Sequence, residues 1–403
     1  MIERTATRRG LLKTALGFSG LAVVLAACSG QATTPGQLAQ ATQPSAPPTQ
    51  PSSQPTQAPA AAASPAQSGS AQVAGGAQVL LNGAGSTFDN PLFAKAFSEY
   101  GKLHPNVKVN YQSVGSGAGI QQLTKGTVDF GASDAPMTDQ QIKDAGGDVV
   151  HIPVTLGAVS VAYNLPDVAE GINLTGAVLA DMYLGKITAW NDPTLAKLNA
   201  DKKLPDSPIA VVHRSDGSGT TDIFTTYLGQ VSSAWKQQVG SGTSVNWPTG
   251  IGGKGSEGVS GQVKQTPGGI GYFELAYAKQ NNLTSAAIDD GAGKFVLPSS
   301  DGASGCAAGA AANMPADLRV RIAGCSGDAA YPISGFSWVV LHQKQADKAH
   351  GSALVNLLWW LIHDGQNYAK DLYYAPLPSA VVKLNEEKLR GVTYEGQPLL
   401  SGV

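Results

Sequence analysis

Between Arg214 and Thr220 the chain reads RSDGSGT. This puts a guanidinium, a carboxylate, hydroxyls that include Ser218 and Thr220, and two glycines within one short turn. Residues of these types can serve three chemistries: a serine nucleophile, a nucleotide phosphate site, or a socket for a small anion. A nucleophilic Ser218 needs the G-x-S-x-G frame, but Asp216 stands where the first glycine belongs. His213 lies five residues upstream near a strand end, with no reason to face Ser218 as its base. For dinucleotides, Gly83-Ala84-Gly85 would need a third glycine where Phe88 stands. Gly253-Lys254 resembles the end of a P-loop, but Gly255 replaces the required Ser/Thr and Pro248 the first glycine. The histidines at 104, 151, 213, 342, 350 and 363 show no HExxH pattern, and the cysteines stand alone, so no metal and no cofactor are expected. The pair Trp359-Trp360, among leucines at helical spacing, is expected to be helix core.

The elements that must position these residues repeat one grammar. Val79 to Leu81 read as a strand, Gly83 to Thr87 as a glycine- and hydroxyl-rich turn, and Leu92, Phe93, Ala96, Phe97 and Tyr100 follow at helical spacing. Val107, Val109 and Tyr111 alternate, then Gly115 to Gly119 lead into Ile120 to Leu123. Ile209 to Val212, the turn at Gly217 to Gly219 and the segment from Thr220 form the third joint. Strand, glycine turn, helix start is the plan of an α/β protein. A helix start has four N–H groups without intrahelical partners and a partial positive charge. Glycines let a ligand approach the backbone, and hydroxyls add donors, so such a joint makes an anion socket. Ser and Thr there are equally suited to plain helix capping. Asp134, in Ser133-Asp134-Ala135-Pro136, stands at the carboxyl end of a strand, where α/β proteins bind ligands, or serves as an Asx-type turn residue.

Residues 1–28 read as an export signal. Arg4, Arg8, Arg9 and Lys13 precede a short apolar stretch, and Thr7 to Lys13 fits either a twin-arginine or an ordinary secretory n-region. Leu25-Ala26-Ala27-Cys28 resembles a bacterial lipobox, which makes Cys28 the expected lipid anchor. Residues 29–76 carry no charged or aromatic side chain and are expected to be a disordered tether, about 40 Å across as a coil. The folded part is then 77–403, long enough for two lobes. The chain's net charge is −2 and no broad basic field exists, which argues against a nucleic-acid partner. Cys306 and Cys325 are expected to form a disulfide in an oxidising compartment.

The motifs in their order resemble one family, the phosphate-binding proteins of high-affinity bacterial phosphate ABC importers, within the periplasmic substrate-binding proteins. The resemblance covers nearly all of residues 79–395. It rests on Gly83 to Phe88, Val128 to Pro136, Tyr183 to Ile187 with Trp190, Asp216 to Thr220, Trp247-Pro248, Gly252 to Gly255, Gly269 to Tyr272, Tyr277 to Asn282 and Leu377-Pro378. It implies a two-lobed periplasmic-binding-protein fold, each lobe a sheet flanked by helices, joined by two crossover strands near Pro153–Val159 and Tyr331–Val339. Lobe I would comprise 77–155 and 335–403, and lobe II 156–334. For phosphate it implies the Thr87 hydroxyl, the Phe88 N–H, Ser116, Asp134 as acceptor of the ligand's proton, and Arg214, Ser218, Gly219 and Thr220 from the other lobe, with Asp216 supporting the arginine. The partners it implies are inorganic phosphate, a membrane permease and its ATPase, and the membrane itself through the anchor. The protein would be an extracytoplasmic monomer and no enzyme. The alternatives are a receptor for sulfate or molybdate, which carry no proton near neutrality for Asp134 to accept, or a secreted phosphatase using Ser218. The long tether and the Cys306–Cys325 segment are not general features of the family.

Overall fold

In the computed structural model the described residues are 78–400, apart from 312, 328 and 329. The export signal, Cys28 and the tether lie outside them. The first half of the fold runs through β1 (Val79–Gly85), α1 (Asn90–Leu103), β2 (Val107–Ser113), α2 (Ser116–Thr124), β3 (Phe130–Ser133) and α3 (Asp139–Asp144). The 15-residue strand β4 (Val149–Tyr163) leads out of it. The second half holds β5 (Asn173–Leu174), α4 (Gly176–Tyr183), α5 (Pro193–Leu198), β6 (Ala210–Arg214), α6 (Gly219–Val231), α7 (Ser233–Gln238), β7 (Ile251–Gly253), α8 (Gly255–Gln265), β8 (Gly269–Glu274) and α9 (Leu275–Gln280). Short strands β9 (Thr284–Ser285), β10 (Ala287–Asp289) and β11 (Phe295–Val296) precede α10 (Ser300–Ala311). Strand β12 (Ser334–His342) returns to the first half, where α11 (Lys348–Ile362) and α12 (Ser379–Arg390) follow.

The main sheet has the order β2-β1-β3-β12-β4-β8-β6-β7, with β9 on β4. Strand β1 is parallel to β2 and β3, and β6 is parallel to β7 and β8. The two parallel parts are joined through β12 and β4, which pair antiparallel with each other. The fold is thus α/β with helices flanking a sheet in each lobe and two strands crossing between the lobes. The β4 sequence, VVHIPVTLGAVSVAY, is almost continuously apolar, and from His151 onward every residue is buried, as a strand covered on both faces requires. At its kink Trp338 pairs with Pro153 while Ser337 pairs with Thr155, so one residue of β4 is left unpaired. Proline has no N–H for the ladder, and a bulge is where a sheet tolerates it.

Two main groups of buried side chains form the core. One gathers Leu81, Phe93, Tyr100, Phe130, Ile152, Trp338 and the leucines of α11, and Trp360 lies in it with Trp359 packed against it. The other gathers Val159, Tyr163, Trp190, Phe224, Trp235 and Tyr272, together with Phe88 just before α1 and Leu92 from its first turn. Helix α10 buries Ala303, Cys306 and Ala307 in the first group although it follows the strands of the second half, because its small side chains let it lie against β4 and β12. Cys306 and Cys325 are joined, with Cα atoms 5.4 Å apart. The segment after α10 grips both halves. Arg319 Nη1 donates to Met137 O (2.9 Å) and Asp139 Oδ1 (2.8 Å), and Arg321 Nε donates to Asp222 Oδ2 (2.8 Å) on α6.

Candidate functional site

Four strand-to-helix joints meet between the halves. Ser116 is the first residue of α2, and its Oγ accepts from the N–H of Gly219, the first residue of α6, at 3.0 Å. At the start of α8 the Ser256 N–H donates to Thr87 Oγ1 (3.1 Å), which lies just before α1, and the two hydroxyls are 2.9 Å apart. Gly117 N–H donates to Gly217 O across the same line (2.9 Å). The approach is close enough to exclude side chains. A Cβ on Gly219 would stand 2.6 Å from the backbone N and C of Asp134. Each helix start brings N–H groups without intrahelical partners and a partial positive charge. Their convergence therefore builds a buried zone of donors.

The Arg214 guanidinium and the carboxyl groups of Asp216 and Asp134 complete it. Arg214 ends β6 and is 3 % exposed. Its Nε and Nη2 grip Asp216 Oδ1 and Oδ2 at 2.8 and 2.5 Å, a bidentate pair, while Nη1 reaches Ser256 Oγ at 3.4 Å. Asp216 also accepts from the Gly255 N–H at 3.0 Å. Burial pushes the Asp216 carboxyl up, but the Arg214 guanidinium outweighs it and holds the group below its ordinary value. Asp134 follows β3 and is buried. Thr220 Oγ1 donates to its Oδ2 (2.9 Å), and Ser86 Oγ and Ser337 Oγ (3.4 Å) face its Oδ1. Burial raises the Asp134 carboxyl, against those hydroxyls and the Arg214 charge. Among the described residues no group of three or more His, Cys, Asp or Glu side chains is placed to hold a metal ion.

Of the residues singled out in the sequence, Thr87, Ser116, Asp134, Arg214, Asp216, Gly219 and Thr220 share this one hydrogen-bonded zone. Ser218 is adjacent but turned to its own helix, where its Oγ caps α6 by accepting from the Thr221 N–H at 3.1 Å. His213 does not serve it: its Nδ1 lies 3.0 Å from Arg214 O, and its ring stacks on Trp247. The Phe88 ring points away into the second core group, and its carbonyl accepts from Tyr374 OH at 2.5 Å. Cys306 and Cys325 belong to the α10 region, apart from this zone. Four further residues belong to it. Ser256 lies in a joint with the same grammar as the others, Ile251 to Gly253 followed by α8, so the pattern could have found it. Ser86 stands inside the Gly83 to Thr87 turn. Ser337 carries no local sequence signal and is brought in by the crossover strand β12, while Asp89, at the N-cap position of α1, looks like a plain capping residue.

The family model described as a PBP superfamily domain matches residues 49–358. A phosphate-binding protein PstS of Xylella fastidiosa is 42 % identical over 306 residues, which cover 76 % of this chain and 83 % of that one. One of Pasteurella multocida is 44 % identical over 304 residues, covering 75 % and 88 %. The crystal structure of a phosphate-binding protein from Stenotrophomonas maltophilia superposes with a TM-score of 0.60 at 19 % identity, over 79 % of this chain and 96 % of that one. The four-joint architecture and these similarities place the chain in the PBP superfamily, in the family of the PstS phosphate-binding proteins, which are substrate-binding proteins and not enzymes.

Proposed function

We propose that the chain binds inorganic phosphate between its two lobes, outside the cytoplasmic membrane, and delivers it to an ABC permease and its ATPase for import. The observation that carries this reading is the convergence of four helix starts, the Arg214 guanidinium and the buried Asp134 carboxylate, which Arg214 does not grip. The PstS names of relatives above 40 % identity supply the ligand class. In this reading Thr87, the Phe88 N–H and Ser116 hold the anion from lobe I. Arg214, Ser218, Gly219 and Thr220 hold it from lobe II, and Asp216 keeps the guanidinium fork in plane. The lobes, 77–155 with 335–403 and 156–334, close about β4 and β12. Cys28 anchors the chain to the outer face of the membrane, the tether lets the body reorient, and the protein acts as a monomer without catalysis of its own.

Asp134 explains why phosphate is chosen. A carboxylate in an anion site repels an unprotonated oxygen but accepts a hydrogen bond from a P–OH group. Phosphate carries a proton near neutral pH and sulfate does not. A buried acceptor facing a ligand without its hydrogen costs several kcal/mol, and such an unpaired group can discriminate by ~10⁴–10⁵. The test is calorimetric titration of the phosphate-stripped protein with phosphate and then with sulfate. Tight phosphate binding with sulfate at least a thousandfold weaker, about 4 kcal/mol, is the expected result. Comparable affinities would replace this reading with a general oxyanion receptor, and release of product from a phosphate ester would replace it with a phosphatase.

A further inference from the structure

Asp89 stands at the N-cap position of α1, yet its side chain caps nothing. An aspartate there ordinarily accepts an N–H from the first turn. Here it is fully buried and turned the other way. Its Oδ2 accepts from Ser337 Oγ at 2.6 Å, and the same hydroxyl oxygen lies 3.4 Å from Asp134 Oδ1. A second hydroxyl ties the Asp89 backbone to the other acid: Ser86 Oγ donates to Asp134 Oδ1 and accepts the Asp89 N–H at 3.4 Å. The Asp89 Oδ1 is buried and has no hydrogen-bond partner among the described residues. An ionised oxygen in that position would carry an unpaired buried charge, a costly arrangement. A protonated carboxyl there does not.

Among the described residues the surroundings give no free cation to offset a second charge. The titratable groups facing Asp89 are Asp134 from the end of β3, Glu274 from the end of β8, Tyr111 on β2 and Tyr374 after α11. Arg214 faces Asp134 but is already held by Asp216. Two carboxylates one hydroxyl apart do not both ionise, and their protons belong to the pair. Burial and the neighbouring Asp134 charge both push the Asp89 carboxyl well above its ordinary value.

We propose that Asp89 is the second acid of the anion site, a positioning residue that holds the proton of the Asp89–Ser337–Asp134 chain and so keeps Asp134 free to accept the ligand's hydrogen. This rests on the phosphate reading above. When Asp89 loses that proton, the site gains a negative charge beside the incoming anion, and phosphate affinity falls. Asp134 alone reads the ligand, and Asp89 sets the pH range over which it can do so.

The experiment measures phosphate affinity by calorimetry from mildly acid to alkaline pH, in the wild type, Asp89→Asn and Ser337→Ala. The slope of affinity against pH is compared within each protein. In the wild type, loss of the pair's proton removes up to about tenfold in affinity per pH unit on the alkaline side. The amide in D89N cannot ionise, so that limb flattens in this variant. In S337A both acids remain but the shared hydroxyl is gone, so the limb moves along the pH axis. In parallel, the infrared spectrum of the phosphate-bound wild type should show protonated-carboxyl C=O intensity that falls in D89N, with the buried Glu274 contributing equally to both. A wild type that binds phosphate with a profile superimposable on those of both variants, or D89N spectra retaining the full band, overturns the assignment and leaves the phosphate reading standing. If D89N does not fold, an unmoved S337A limb overturns it. A wild type that binds no phosphate at any pH overturns the phosphate reading and this assignment with it.

Discussion

Gly219→Ala adds one methyl group at the place where the halves meet most closely. The new Cβ would stand 2.6 Å from both the N and the C of Asp134 and 2.7 Å from the N of Ala135. These are backbone atoms of the turn directly after β3, whose own residues pair with β1 and β12, so they cannot swing aside as a long side chain would. Either α6 or the Asp134 turn must retreat by several tenths of an ångström. Overpacking of this kind costs about 1–3 kcal/mol. The cost falls on the closed arrangement, because separated lobes leave the methyl in solvent. Phosphate affinity should therefore drop by about 5–150-fold while the thermal midpoint without phosphate moves little. Gly117→Ala is the graded control. Its Cβ would stand 3.2 Å from Gly217 Cα, a tight but negotiable contact, so its loss should be smaller. Calorimetry with phosphate and thermal unfolding without it separate the two effects. Wild-type affinity in G219A would refute the claim that this contact belongs to the phosphate-bound form. Equal loss of stability with and without ligand would show that the contact is permanent and not part of a closure.

Other substitutions probe the remaining parts of the site. Arg214→Ala removes a charge that does not distinguish one oxyanion from another, so phosphate and sulfate binding should both weaken by about 1.5–3 kcal/mol, measured by the two titrations. Asp134→Asn should narrow the phosphate-to-sulfate ratio, because an amide can donate where the carboxylate only accepts; an unchanged ratio would make Asp134 a turn residue. Glu274 is fully buried, and burial holds its carboxyl well above the ordinary value. The folded state therefore binds a proton that the unfolded state has lost. Stability from this group is present below the unfolded pKa of about 4.3 and declines as pH rises toward the folded one. Glu274→Gln should flatten the fall of the thermal midpoint between acid and neutral pH, and an unchanged slope would show that Glu274 ionises in place. Alkylation under denaturing, non-reducing conditions followed by mass spectrometry should leave Cys306 and Cys325 unmodified; two labelled thiols would contradict their bond.

Local grammar made the joints legible in the sequence, because strand periodicity, glycine turns and helix starts are written within about twenty residues of one another. That is why the turns that hold Thr87, Ser116 and Gly219 can be read before any geometry, while the residues themselves are named through the family resemblance. Ser256 has the same grammar, but its Gly253-Lys254 prelude invites comparison with a P-loop, and failure of that comparison hides the joint. Ser337 reaches the site only because β12 returns across the sheet, and no local pattern announces such a return. Asp89 resembles an ordinary capping residue, and only the direction of its side chain reveals otherwise. The position of α10 was equally hidden. Its run of Ala and Gly has no strong apolar face, and its place against β4 and β12 is decided by close approach of small residues to the sheet.

The place of β12 in the sheet also fixes an order of assembly. It lies between β3 and β4, yet it comes after every other strand of the main sheet in the chain. The second lobe can pair β8, β6, β7, β9 and the far end of β4 from one contiguous stretch. The first lobe cannot close its sheet until residues 334–342 arrive, and until then β3 presents an open edge toward the missing strand. Pairings between distant parts of a chain form late because loop closure must come first. A chain growing from its amino end therefore completes its second lobe before its first. The part of the molecule most exposed to mispairing in that interval is the edge beside Ser133 and Asp134, the stretch to which the proposed reading assigns anion recognition.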